Sequence, residues 1–433
     1  MFKTLANAWR IPEIRKKILI TVLIVVLYRF GAVIPVPFIQ SGIIDYFKNI
    51  SQGSIFEYLN ILSGSAFSRA TLLALSISPY ITASIVIQLL TVAIPALERL
   101  SKEGEEGKKK LTQITRIVTV VLGFVTAFGY YMYLKNAGML VAEVSKGGKY
   151  EFFGAAVIIM CYAAGAAIIM WLAEKINEFG IGNGISIILF ANIVSSAPTI
   201  ITTFIEYIKN SPWGIVIVEA ILIVSLAIVT FVVFVSESER RLPVQYAKKV
   251  VGRKMYGGQN TNLPIKLNMS GVMPIIFANS IVAIPQTIAM FTGQNSGFSK
   301  WVSKWLGASS LIYILVFVVL IIAFSYFYIS ISFNPVEVAN NLKKNGGFIP
   351  GIRPGKPTAD YINKVLGRIT LIGAFFLCIV AALPLIANMI SGGKLSGIAF
   401  GGSSLLIVVG VAIETARELE SQMTMRHYKG FLE

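Results

Sequence analysis

Few residues in this 433-residue chain could take part in catalysis, and their positions do not suit it. The aspartates are Asp45 and Asp360, the single histidine is His427, and all three lie outside the long apolar runs. If the apolar runs are transmembrane helices, an intramembrane aspartyl protease would need two aspartates within them. A Ser/His dyad or an HExxH zinc site would need a histidine within them. No Walker A sequence for nucleotide binding occurs either. We therefore predict that the chain is not an enzyme and uses no metal or cofactor.

Thiol and ionisable side chains within the apolar runs are also few. Cys161 and Cys378 each serve as small apolar filler, and nothing indicates a disulfide or a metal site. Coupled transporters bury ionisable groups that bind protons, ions or charged substrates, whereas the runs here contain chiefly Arg29, Glu219 and Glu414. The two glutamates lie near run ends, where a carboxylate can pair or line a water-filled space. Arg29 is the most costly to bury, and no partner lies near it in the sequence.

The composition indicates an integral membrane protein. Apolar residues make up 55% of the chain and charged residues only 14%, whereas soluble domains carry about 25% charged residues. This excludes a soluble enzyme, a disordered chain and a disulfide-rich secreted scaffold. The net charge of +17 would indicate nucleic-acid binding in a soluble protein. In a membrane protein, Lys and Arg instead collect in cytoplasmic loops.

Ten apolar runs are long enough to cross a bilayer, which takes about 20 helical residues. We therefore predict an all-α polytopic membrane protein with ten transmembrane helices. Prolines inside several runs are typical of the interrupted helices of channels and transporters. The runs cover residues 18–36, 73–94, 117–135, 152–173, 184–208, 214–235, 270–291, 309–333, 369–390 and 401–419.

The distribution of basic residues predicts the orientation. If the N-terminus is cytoplasmic, most Lys and Arg residues fall on the cytoplasmic side, which places both termini there. The basic start resembles a signal peptide, but no small-residue cleavage site follows, so we predict an uncleaved first span. The long loops 37–72 and 136–151 would then lie outside, and the basic loops 236–268 and 334–368 inside.

This opposite loop bias predicts two inverted five-helix halves around a central axis. The first half would cover residues 1–208 and the second half residues 209–433. Within the first half, residues 54–67, SIFEYLNILSGSAF, are moderately apolar but too short to span the bilayer. They could re-enter the membrane or lie on its outer surface as a helix, and the composition leaves both possibilities open.

Two pairs of aliphatic residues have helical spacing. Ile81 and Ile85 lie four residues apart in the second run, and Ile185 and Leu189 repeat this spacing in the fifth. Such pairs fit ordinary helix packing, and they also fit an apolar constriction that excludes water from a pore. The glycine-rich stretch 180–184 disfavours a regular helix and permits an irregular entry into the fifth run.

Several longer strings of the sequence are specific enough to indicate a family. They are SPYITASIVIQLL at 78–90, EFGIGNGISIILF at 178–190, ERRLPVQYAKK at 239–249, LNMSGVMPIIFANSI at 267–281, NPVEVANNLKKNGGFIPGIRPG at 334–355 and GGSSLLIVVG at 401–410. Together they resemble the SecY family, the central subunits of the bacterial Sec translocon, with two five-helix halves around a central pore. The resemblance covers essentially the whole chain, and the strings occur in the family's order. Those at 239–249 and 334–355 look bacterial rather than archaeal.

The resemblance implies a protein-conducting channel in the bacterial cytoplasmic membrane. Such a channel translocates secretory polypeptides and releases membrane-protein segments sideways into the lipid bilayer. The implied partners are the SecE and SecG subunits, the SecA ATPase, the ribosome with its ribosomal RNA, secretory preproteins and nascent membrane proteins. A secondary transporter of a small solute is the alternative, since inverted repeats and broken helices suit it. The scarcity of buried charge and the long cytoplasmic loops oppose that alternative.

The resemblance also implies four groups of functional residues. A pore ring of aliphatic side chains would comprise Ile81, Ile85, Ile185, Leu189, Ile276 and Ile407. The plug, which closes the idle pore, would be the segment 54–67 with Ile55, Phe56, Leu59, Leu62, Gly64 and Phe67. The lateral gate would lie between spans 2–3 and 7–8, near Gln88 and Asn279. Residues that dock SecA or the ribosome would be Arg240, Arg241, Lys248, Lys249 and Arg353.

Simpler explanations stand beside two of these assignments. Gln88 and Asn279 could merely satisfy hydrogen bonds between helices. The charge of the basic loops could serve membrane topology alone. Arg353 lies between glycine and proline residues that fix the shape of its loop, so shape and docking could both involve it.

Overall fold

A computed structural model describes most of the chain. For some further residues within helices and strands it describes the backbone alone. It does not describe residues 1–7, 41, 45–46, 48–59, 146–147, 149, 211–213, 247–248, 252–253, 257–259, 293–295, 308–309, 391–395 and 430–433.

The described part of the first half is helical. Proline occupies the first turn of α1, α2 and α3, where its missing N–H is not needed. The Asn183 side chain caps α6 by accepting the N–H groups of Ile185 and Ser186 at 3.0 and 3.5 Å. The helices are α1 Pro12–Gly31, α2 Ser78–Ala93, α3 Pro95–Lys102, α4 Glu105–Asn136, α5 Glu151–Phe179, α6 Gly184–Ser195 and α7 Ala197–Asn210.

The second half combines helices with short strands. Asn334 caps α12 through the N–H groups of Val336 and Glu337, just as Asn183 caps α6. The helices are α8 Gly214–Glu237, α9 Met273–Thr292, α10 Gly297–Trp305, α11 Leu311–Ser332, α12 Pro335–Lys344, α13 Lys356–Ile390 and α14 Ser396–Lys429. The strands are β1 Glu239–Tyr246, β2 Lys249–Val251, β3 Lys254–Tyr256, β4 Asn260–Lys266 and β5 Gly347–Phe348.

The strands join the two basic loops into one structure. β1 pairs antiparallel with β4, with Leu242 opposite Leu263, and β5 pairs with the other edge of β1, with Gln245 opposite Phe348. Leu242 and Val244 alternate inward along β1 and pack with Ile265, as expected for a strand buried on one face. The prediction of an all-α protein was therefore wrong for these loops, and the fold is mostly helical.

Each predicted span overlaps a described helix, and the fifth breaks into α6 and α7 near Ser196. Five helical stretches in the described part are long and apolar enough to cross a membrane, or six if the bent pair α2 and α3 forms one span. α2 and α3 meet at a bend of 102°. The chain is a multi-pass membrane protein. The five stretches are Glu105–Asn136, Glu151–Phe179, Gly214–Glu237, Leu311–Lys344 and Lys356–Ile390.

The interior has two principal apolar clusters. The larger, here the main cluster, draws buried side chains from both halves, among them Ile188 of α6 and Leu377 of α13. The second, here the aromatic cluster, includes Phe67, Tyr130 and Tyr162. The rings of Phe67 and Tyr130 have centroids 4.7 Å apart, and those of Tyr130 and Tyr162 lie 5.1 Å apart. The segment 60–76 lies between α1 and α2 in sequence and contributes to both clusters.

Candidate functional site

Five of the six residues of the predicted pore ring belong to the main cluster, and the sixth, Ile185, packs against it. Ile81 and Ile85 lie on α2, Ile185 and Leu189 on α6, and the other two on α9 and α14. Five of the six are at most 4% exposed, and Ile185 is half-buried. The cluster extends well beyond these residues, so shared membership places them together without by itself defining a ring.

Helix contacts connect the two halves around this cluster. α2 contacts α9, and α6 contacts α14. Each pair joins one helix of the first half to one of the second, and each of these helices carries ring residues. An aliphatic cluster that is shared across such a junction excludes water, because its atoms offer no hydrogen-bond partner.

The predicted plug segment is described from Asn60 onward, whereas Ile55, Phe56 and Leu59 lie outside the described residues. Leu62 is 8% exposed and belongs to the main cluster, together with the ring residues. Phe67 is 3% exposed and belongs to the aromatic cluster. The described end of the segment therefore bridges the two clusters.

The backbone is strained at the end of the plug segment and in the residues that follow it. Ser65, Ala70 and Ser76 have φ angles of 69°, 48° and 53°, and Gly64 has one of 61°. The left-handed conformation costs a residue other than glycine about 1–2 kcal/mol. Such residues persist when their surroundings impose the conformation. Contacts from outside the segment must therefore fix this backbone.

Polar side chains at least 14 positions away in the sequence donate hydrogen bonds to four carbonyl oxygens of residues 60–76. These bonds hold the backbone of the segment, in addition to the packing of its apolar side chains. Asn192 Nδ2 donates to Leu62 at 2.6 Å, Ser76 Oγ to Leu62 at 3.0 Å, Arg29 Nη2 to Gly64 at 3.4 Å, Tyr130 OH to Phe67 at 2.7 Å and Tyr162 OH to Ala70 at 3.2 Å.

Arg29 has no partner nearby in the sequence, but in the fold it lies at the centre of these hydrogen bonds. Its Nη1 donates to the Asn192 side-chain oxygen at 3.3 Å. The helix α1 ends at Gly31, so Arg29 lies in its last turn, where the helix dipole favours a positive charge. A Cβ atom added at Gly64 would lie 2.4 Å from Arg29 Nη1. Any other residue at position 64 would have to displace the Arg29 side chain and adopt a φ of 61°, which favours glycine.

The residues of the predicted lateral gate are not paired with each other. Gln88 on α2 donates to Ser84 of its own helix at 3.4 Å. Asn279 on α9 is 6% exposed, and its amide nitrogen has no hydrogen-bond partner among the described residues. α2 and α4 both contact α9, and α9 contacts α11. These helices correspond to predicted spans 2, 3, 7 and 8.

The described docking residues lie on the surface of the sheet and the adjoining loop. Arg240 and Arg241 are exposed on β1, and Arg241 pairs with Glu239 at 2.7 Å. Arg353 is exposed in the loop before α13, where its carbonyl accepts a hydrogen bond from Thr358 at 2.8 Å. Lys248 lies outside the described residues, and Lys249 is described by its backbone only. The pairing of β1 with β5 brings both loops into one basic surface.

Sequence reasoning missed four polar residues of this site: Asn192, Ser76, Tyr130 and Tyr162. Asn192 offered a signal, because it is an amide within an apolar run and could satisfy the buried charge of Arg29. The tyrosines offered none, because their hydroxyl partners are backbone carbonyls of a remote segment.

Comparison with known proteins decides the family. A family model for SecY matches residues 71–416. The chain belongs to the SecY family. The protein translocase subunit SecY of Streptomyces galbus is 43% identical over 445 residues, and that of Mycobacterium tuberculosis H37Rv is 41% identical over 451 residues. Both alignments cover 100% of this chain and 100% of the relative. Membership in a family of translocase subunits agrees with the prediction that the chain is not an enzyme.

Solved structures share the fold of this SecY-family chain. A structure described as that of a protein conducting channel has a TM-score of 0.66 at 20% identity, covering 94% of this chain and 92% of that one. A second, on the plug domain of SecY and the closed state of its channel, has a TM-score of 0.63 at 20% identity with the same coverage. The yeast Ssh1 complex bound to a ribosome has a TM-score of 0.57 at 17% identity, covering 90% and 88%.

Proposed function

We propose that this chain forms the protein-conducting channel of a bacterial protein translocase in the cytoplasmic membrane. It passes secretory polypeptides across the membrane and releases membrane-protein segments sideways into the bilayer. The full-length relation to protein translocase subunits carries this proposal. In this proposal ten transmembrane helices form two inverted halves, residues 1–208 and 209–433, with both termini in the cytoplasm.

The six aliphatic residues act as a collar around the moving chain. A pore that passes many different polypeptides cannot rely on contacts specific to particular side chains. An apolar constriction excludes water and ions and binds no one sequence. The burial of these side chains in one cluster shared by both halves supports this role.

The plug segment 54–67 closes the collar when no polypeptide is present. Support comes from Leu62 at its described end, which packs in the cluster that contains Ile81 and Leu189. In the idle channel the plug packs against the aliphatic side chains of the collar. A translocating polypeptide would make these contacts in its place.

The lateral gate opens between α2 and α4 on one side and α9 and α11 on the other. An apolar signal segment that leaves through it gains about 25 cal/mol for each Å² of apolar surface that it buries in lipid. The amide nitrogen of Asn279, which has no acceptor among the residues that the structure describes, supports this location, because a buried donor without an acceptor weakens the closed seam.

The basic surface of the two cytoplasmic loops docks the partner that drives translocation, SecA or the ribosome. Its basic side chains would contact acidic groups of SecA or phosphates of ribosomal RNA. These side chains are Arg240, Arg241, Lys248, Lys249 and Arg353. Exposed guanidinium groups suit phosphate oxygens, and such contacts weaken as salt rises. A ribosome-bound relative of the same fold supports the ribosome as one partner. SecE and SecG complete the channel complex.

Reconstitution in proteoliposomes tests the proposed function. The chain is purified with SecE and SecG, and a preprotein, SecA and ATP are supplied outside the vesicles. We expect the preprotein to become protected from protease only when its signal sequence and ATP are both present. A folded complex that never protects the preprotein, while the chain alone takes up a labelled small solute, would support the transporter alternative instead.

A further inference from the structure

The contacts of Arg29 differ from those of an ordinary structural arginine in this chain. Arg116 pairs with the Glu174 carboxylate through two short contacts of 2.9 and 2.7 Å. Arg29 has no ion pair within the described residues, and its two hydrogen bonds, to neutral oxygens, are 3.3 and 3.4 Å long. These distances lie beyond the usual range for a charged donor. A half-buried guanidinium that is held by two such long hydrogen bonds can exchange its partners.

Asn192 connects this charge to the plug segment. It is fully buried, its oxygen accepts from Arg29, and its amide nitrogen donates to the Leu62 carbonyl at 2.6 Å. Ser76 supports the same carbonyl at 3.0 Å. Arg29 therefore acts on the segment twice, directly at Gly64 and through Asn192 at Leu62.

A second set of contacts fixes the chain a few residues further on. Tyr130 and Tyr162 donate to the carbonyls of Phe67 and Ala70, and both hydroxyls are buried. Between the two sets lie Gly64 and Ser65, both in the left-handed conformation. The segment thus has two sets of contacts with a turn between them. The set at 62–64 includes the long hydrogen bonds of Arg29, and the set at 67–70 is made by the two tyrosines.

We propose that Arg29 and Asn192 form a polar latch on the carbonyl oxygens of Leu62 and Gly64, and that the plug leaves the collar only when this latch opens. The turn at Gly64 and Ser65 is the hinge, and the contacts of Tyr130 and Tyr162 are the fixed anchor. The proposal rests on the proposed function for its biological meaning. Arg29 and Asn192 are positioning residues, since they act on the backbone of the segment and need not touch the translocating chain.

Thiol labelling of the idle channel tests the latch. Cys161 and Cys378 are replaced by serine in the full chain, and Ser63, which is 0% exposed, becomes the single cysteine. Ser325→Cys, at 1% exposure on α11, is the matched control in a parallel chain. Membranes that contain the channel are treated with a small water-soluble maleimide, and labelling rates are measured with no translocating chain present.

We expect both cysteines to label slowly in the otherwise unchanged channel. Arg29→Gln and Asn192→Ala should each raise the rate at position 63 by about tenfold or more, as follows when a hydrogen bond to a buried group is lost. The rate at position 325 should not change, and Arg29→Lys should give an intermediate rate at position 63. Arg116→Gln, which removes an arginine away from the latch, should leave position 63 protected.

Two results would overturn the latch. One is an unchanged rate at position 63 in both Arg29→Gln and Asn192→Ala. The other is a parallel rise at positions 63 and 325, which would mean general loosening of the fold. The assay needs no preprotein, SecA or ribosome. Either of these results would therefore disprove the latch and leave the proposed channel function untouched. Conversely, release at position 63 in a complex that never translocates would keep the latch and remove its role in a channel.

Discussion

The guanidinium of Arg29 lies 3.3 Å from the side-chain oxygen of Asn192, although 163 positions separate the two residues. The contact joins α1 to α6, and Asn192 in turn donates to the carbonyl of Leu62 in the plug segment. A polar path therefore leads from α1 through α6 to the backbone of the plug segment. Because buried polar groups are costly when they lose their partners, single substitutions along this path should have measurable effects.

The first prediction concerns the space around Gly64. Gly64→Ala places a methyl group 2.4 Å from Arg29 Nη1 at a φ of 61°, and the left-handed conformation alone costs alanine about 1–2 kcal/mol. We expect the idle channel to leak ions, measured as conductance across a planar bilayer. Gly297→Ala is the control, because nothing lies within 4 Å of its added Cβ. Equal conductance of the two variants would contradict the importance of this site for closure.

The second prediction concerns the collar. Ile407 is 1% exposed in the main cluster, and Ile407→Asn buries an amide there at a cost of about 1–3 kcal/mol. We expect looser gating, seen as translocation of preproteins with defective signal sequences and as a higher ion leak. Ile407→Leu keeps volume and polarity and should behave like the unchanged chain. If Ile407→Asn altered neither selectivity nor leak, Ile407 would not belong to the ring.

The third prediction concerns the anchor of the segment. The Tyr130 hydroxyl donates to the Phe67 carbonyl at 2.7 Å in a buried setting. Tyr130→Phe leaves that carbonyl without this donor and should lower the free energy of unfolding by about 1–2 kcal/mol. Thermal denaturation of the purified complex would show it as a lower Tm. Tyr150→Phe, at 59% exposure, should leave the Tm unchanged, and equal Tm values for both variants would argue against the anchor.

The fourth prediction concerns the basic surface. Arg240 is exposed on β1 and has no ion pair within the described residues. If it contacts a phosphate of ribosomal RNA, Arg240→Ala should weaken ribosome binding and reduce the slope of log affinity against log salt by about 1. Binding titrations at several salt concentrations measure both. Arg69→Ala removes the same charge from an exposed site on the opposite predicted side of the membrane, so a similar effect there would point to nonspecific attraction.

Hydropathy located the helices well because long apolar runs have few alternatives in a membrane. The run predicted at 309–333 corresponds to Leu311–Ser332, with a capped helix on either side. The strands were missed because β1 lies in a charged loop, where length and charge indicate a loop. Leu242 and Val244 nevertheless alternate inward as a strand requires, and this period of two is the signal that predicts β1.

The polar contacts of the plug segment could not be predicted from the sequence. Arg29, Asn192 and Tyr130 meet the segment only through tertiary packing, and their acceptors are backbone carbonyls that any residue type would supply. The aliphatic ring posed a different problem. Ile81 and Ile85 have the spacing of any packed helix face, so only the family resemblance distinguished them from their neighbours.

Crosslinking from within the proposed collar tests the central claim most directly. A single cysteine replaces Ile276, which is 4% exposed in the main cluster, in a chain without Cys161 and Cys378. A secretory polypeptide with a bulky folded domain at its end is stalled halfway through translocation. We predict a crosslink from position 276 to the middle of that polypeptide, absent when its signal sequence is deleted. A variant that still translocates but gives no such crosslink would contradict the account, because the polypeptide would then take another path.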